Sequence, residues 1–65
     1  MKMEFKYILL REKGGEWAMS LLQVKERVKA IARSYGPADA QRWINDNVPA
    51  ELKPAAFAAL MEMFR

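Results

Sequence analysis

Residues 21–35 carry the clearest periodicity in the chain. Leu21, Val24, Val28, Ile31 and Tyr35 recur at spacings of three, four, three and four, with Leu22 and Ala32 beside them. That spacing places one apolar stripe on a helix of about 15 residues. Ser20 and Gln23 stand where a capping box needs them, the hydroxyl and the amide side chain each satisfying the other residue's free backbone donor. Gly36 followed by Pro37 ends the helix. Pro37 also suits the first position of a second, shorter helix running to about Asp46, with Ala40, Trp43 and Ile44 as its buried side. Asn45, Asp46 and Asn47 break that helix, because their side chains compete for backbone hydrogen bonds and tolerate the left-handed region. Val48-Pro49 then leads into a helical turn over residues 50–53, and a last helix runs from about Pro54 to the C-terminus.

Ahead of Ser20 the period changes. Residues 2–12 alternate Met3, Phe5, Tyr7 and Leu9 with Glu4, Lys6 and Ile8, which suits a strand. Phe5, Ile8 and Leu9 also share one helical face, and Glu, Lys, Leu and Arg are good helix formers; strand is the preferred reading. Gly14-Gly15 accepts the positive φ of a turn, and Glu16–Met19 can return as a second strand, closing a hairpin around residues 13–16. The expected fold is mostly α: one domain over residues 1–65, with a three-helix core in residues 19–65 and an N-terminal β-strand or short β-hairpin arm in residues 1–18. Phe5, Tyr7 and Leu9 are expected to cover the helices. A competing reading takes Lys13-Gly14-Gly15-Glu16, ahead of Met19, as the product of a purine-rich run resembling a bacterial ribosome-binding site, so that residues 19–65 form a separate product. The integral arm is preferred, since so short a chain can hardly spare its apolar arm.

Size sharpens the picture. A chain of 65 residues buries only roughly 60% of the surface it exposes when unfolded. Unaided, such a core rarely supplies more than about 3–5 kcal/mol. The sequence has no Cys and no His, which removes disulfides, thiolate metal sites and imidazole ligands. Association is the remaining route to extra stability, and a homodimer is expected. The net charge of +3 is ordinary for solubility; it permits nucleic-acid binding without the dense basic stripe of a dedicated binder. The apolar run at residues 7–10 is far too short for a signal core or a membrane span. Absent Cys fits a reducing compartment, and the expected location is cytoplasmic.

Candidate chemistry is sparse. Without His or Cys, a nucleophile or base would have to come from Ser20, Ser34, a Lys, a Tyr or a carboxylate. Ser20 is better explained as a cap, and Asp39, Asp46, Glu51 and Glu62 show no paired spacing. No enzyme activity, cofactor, metal, small-molecule substrate or membrane is expected. Trp17 and Trp43 read as core or interface anchors, because no basic residue alternates with them as a nucleic-acid groove requires.

Three features remain. The last helix has Phe57, Leu60, Met61 and Phe64 as its expected inward face, with Ala55, Ala58, Ala59 and Met63 opposite, and no charged or polar side chain from residue 54 to residue 61. A helix apolar all round is usually covered on more than one side, which makes Ala55, Ala58, Ala59, Met61, Met63 and Phe64 the candidate protein interface; the plainer account is that alanines are strong helix formers wherever they sit. Lys25, Lys29 and Arg33 line one edge of the first helix, as a solvated flank or as a footprint for phosphate or an acidic protein. Finally, Ala32, Gly36 and a short helix with Gln41, Arg42 and Asn45 are broadly what a helix-turn-helix needs, since Arg, Gln and Asn read base edges. The short Gly36-Pro37 connection and the negative Asp39 and Asp46 depart from that motif. The expected function is a small non-enzymatic regulator, adaptor or inhibitor that binds itself and another protein, with a helix-turn-helix DNA-binding regulator as the alternative. Whether the polar face of the second helix is free or packed away bears on the choice.

Overall fold

The computed structural model describes residues 7–12 and 14–65, with residues 16 and 17 described by their backbone alone. Strand β1 (Tyr7–Glu12) and strand β2 (Gly15–Ser20) form an antiparallel hairpin in which Tyr7 pairs with Ser20 and Glu12 with Gly15. Gly14, in the turn ahead of β2, takes φ 79°, a conformation that a side chain disfavours. Residues 2–6 of the expected strand, with Met3 and Phe5, lie outside the described residues, as does the side chain of Trp17.

Ser20 ends β2 and at the same time caps helix α1 (Leu21–Tyr35). The Gln23 backbone N–H donates to Ser20 Oγ at 3.3 Å, and the Ser20 N–H donates to Gln23 Oε1 at 3.0 Å. This is the reciprocal box expected from the sequence. Gly36 closes the helix by donating its N–H to the Ala32 carbonyl at 3.0 Å. Its φ of 101° and ψ of 167° lie in a region populated essentially by glycine. Helix α2 (Pro37–Asn47) starts at the next residue. Asn47 Nδ2 donates to the Trp43 carbonyl at 3.1 Å near the end of α2. One turn of 3₁₀ helix (Ala50–Leu52) then hands the chain to helix α3 (Lys53–Met63).

The two-stranded sheet and all three α-helices feed one core. Leu10, Met19, Val24, Val28, Ala32, Ala40, Ile44, Val48, Ala56 and Leu60 form a continuous buried cluster. Leu10, Val24, Val28 and Ile44 are its largest fully sealed side chains, each contributing about 1.5–3 kcal/mol of burial.

Three inward faces differ from those the pattern suggests. On β1 it is Leu10 that is sealed, with Ile8 half-buried, whereas Tyr7 and Leu9 are 68% and 66% exposed. Both faces of this strand are apolar, so alternation alone does not choose between them. On α1 the buried line is Val24, Val28 and Ala32, a single i+4 ridge, while Tyr35, at the last turn before the Gly36 corner, is 73% exposed. On α3 the buried residues are Ala56, Ala59 and Leu60; Phe57 is half-buried, and Met61 and Phe64, expected inside, face out.

Candidate functional site

Two surfaces carry features that the core does not use. The first is the outer side of α3. Met61 is 70% and Phe64 56% exposed, and together with Ala58, Glu62 and Arg65 they line an open depression. Ala55 and Met63 are half-buried beside it. Ala59 belongs instead to the core, at 5% exposure, so the six candidate interface residues do not form one face. Residues three and four apart share a helical side, and Ala58 with Met61 makes that side here.

The second surface is a groove of about 390 Å³ between α1 and α2. Arg27, Ile31 and Tyr35 of α1 form one wall, and Asp39, Arg42, Trp43 and Asp46 of α2 form the other. Glu12 stands at the end of β1, where its Oε1 accepts from Arg27 Nη2 at 2.9 Å. This ion pair ties the hairpin to α1 across fifteen residues of sequence. The other carboxylate oxygen, Oε2, is sealed from water and has no hydrogen-bond partner among the described residues. A buried acceptor left in that state costs about 1–3 kcal/mol.

The candidate nucleic-acid contacts are divided. Gln41, Arg42 and Asn45 are all exposed, so the polar face of α2 is free. Arg42 turns into the groove, while Gln41 and Asn45 lie outside it. Lys25 and Lys29 are half-buried and Arg33 is exposed. Each of these three stands two residues from Arg27, Ile31 or Tyr35, hence about 200° around the helix. They therefore occupy the flank of α1 turned away from the groove, and the structure does not gather the six residues on one surface. Trp43 is half-buried against the core, as an anchor would be.

Nothing in the sequence singles out Glu12 and Arg27, because their pairing depends on where the hairpin lands on α1. The α2 wall does carry a sequence signal, though not one used above: Asp39, Arg42, Trp43 and Asp46 follow the i, i+3, i+4, i+7 spacing of one helix side. Among the described residues, no helix is long and apolar enough to cross a membrane. Comparison with family models, with characterised proteins and with solved structures finds no match to this chain.

Proposed function

We propose that the chain is a small non-enzymatic binding protein, a cytoplasmic regulator, adaptor or inhibitor, which associates with a second copy of itself through the outer side of α3. The observation that supports this reading is the exposure of Met61 and Phe64 on a helix with no charged or polar side chain from residue 54 to residue 61. Met adapts to irregular contacts, and small Ala58 lets a neighbouring helix come close. Magnitude sets the expected strength. Met61, Phe64 and Ala58 together offer roughly 300 Å² of surface, against about 800 Å² per partner in a standard interface. The contact is thus of the weak, transient kind.

Sedimentation velocity from low to high micromolar concentration tests it. The weight-average mass should rise with concentration, and Met61→Glu should return it to the monomer value while changing unfolding free energy by no more than about 0.5 kcal/mol. A well-folded monomer throughout the range refutes the reading. One observation favours the alternative, DNA binding: the polar face of α2 is free. The separation of Arg42 from Lys25, Lys29 and Arg33, and the two aspartates on either side of Arg42, weigh against it. Non-specific duplex binding at low salt should appear before any sequence preference; if none is detected there, DNA is not the partner.

A further inference from the structure

We propose that the groove between α1 and α2 is a docking site for an arginine-bearing segment of a partner protein. The first ground is where the acidic side chains lie. Of the six whose surroundings are described, Glu12, Asp39 and Asp46 line this groove, while Glu26, Glu51 and Glu62 do not. Arg27 and Arg42 line it as well, so the groove carries a net charge of −1, three carboxylates against two guanidiniums, on a chain of net charge +3, and that local excess favours an incoming cation.

The second ground is the walls. Tyr35 and Trp43 stand beside the carboxylates, and an aromatic ring attracts a cation over its face, most strongly when that cation is partly dehydrated.

The shape of the site selects among cations. No three carboxylates among the described residues converge as a metal ion requires. Asp39 and Asp46 are seven residues apart along α2, about 10 Å at the helical rise. That distance matches one turn of polyproline II, about 9 Å, which returns side chains three residues apart to the same face, so two cationic side chains of such a segment can meet both aspartates. Arginine suits the groove better than lysine, since its planar guanidinium stacks on aromatic rings and pairs with carboxylates through two nitrogens. Arg42 lies between the two aspartates in sequence but makes no ion pair with either within 4.0 Å. It therefore stands as a like-charged competitor that a bound arginine must push aside.

The groove shares no lining residue with the depression at the end of α3, so this proposal and self-association fail or succeed separately. The test is a titration of the isotopically labelled full chain, followed through the indole N–H resonance of Trp43. The probes are a capped alanine peptide carrying two arginines three residues apart, its lysine and glutamate versions, and inorganic phosphate. The arginine peptide should shift the resonance at millimolar concentration, with the lysine version weaker. Asp39→Asn combined with Asp46→Asn should weaken binding about fivefold, and Arg42→Ala should tighten it about twofold. Both sets of changes lie on exposed positions, so the fold is retained. No shift with the arginine peptide overturns the proposal, as does an aspartate variant that binds as well as the parent. Equal binding of the lysine peptide removes the arginine assignment. If phosphate or the glutamate peptide shifts Trp43 instead, and Arg42→Ala abolishes that shift, the groove is an anion site and the proposal is wrong.

Discussion

Helix α1 buries one line of side chains, Val24, Val28 and Ala32, and turns Glu26, Arg33 and Ser34 to water. Helix α3 buries Ala56, Ala59 and Leu60, yet the side it turns to water holds Ala58, Met61 and Phe64. Both helices supply the same core. The difference is that α1 carries its orientation in its own composition, because any rotation would submerge charges. Nothing in residues 54–61 resists rotation of α3; its neighbours set its facing, and apolar side chains remain over. That surplus is the surface on which the proposed self-association rests.

Adjacent residues on α3 give the strongest way to break this contrast. Leu60 is 3% exposed and Met61 is 70% exposed. Leu60→Ala should cost about 2–5 kcal/mol, enough to leave a core that supplies about 3–5 kcal/mol largely unfolded at 25 °C. Met61→Ala should stay within about 0.5 kcal/mol of the parent. Urea unfolding followed by circular dichroism separates the two, and similar losses at both positions would mean that Met61 is buried, by this chain or by a second copy.

Next in size is the corner joining α1 to α2. A Cβ on Gly36 meets no atom within 4 Å, so Gly36→Ala tests backbone conformation alone. With φ at 101°, alanine there should cost about 1–3 kcal/mol, and thermal unfolding should show a correspondingly lower midpoint. An unchanged midpoint would mean the corner relaxes freely.

The smallest effect sharpens the comparison at the helix starts. Helix α1 has a side-chain cap, whereas α3 begins after Leu52 with none. Ser20→Ala should therefore cost about 1 kcal/mol, read by the same urea experiment. No residue at the start of α3 offers an equivalent loss.

How far the sequence reveals this structure depends on polar contrast. The limits of α1, the capping box, the Gly36 corner, the short α2 and the hairpin around Gly14 are all legible, because each is marked by a residue with a distinct local preference. The inward face of β1 is not, since Tyr7 and Leu9 compete with Ile8 and Leu10 on equal terms. The facing of α3 fails for the same reason. Of the groove, the α2 wall could be read from spacing, but Glu12 and Arg27 come together only after the hairpin has folded onto α1.

Ser20 belongs to two elements at once, pairing with Tyr7 in the sheet and capping α1 through Gln23. No spare residue separates the arm from the helix to act as a joint. Pairing in the sheet holds Ser20 in the extended conformation (φ −74°, ψ 161°) that an N-cap residue requires. The strand end thus presents α1 with a cap already in place, which a free peptide of residues 21–35 would lack.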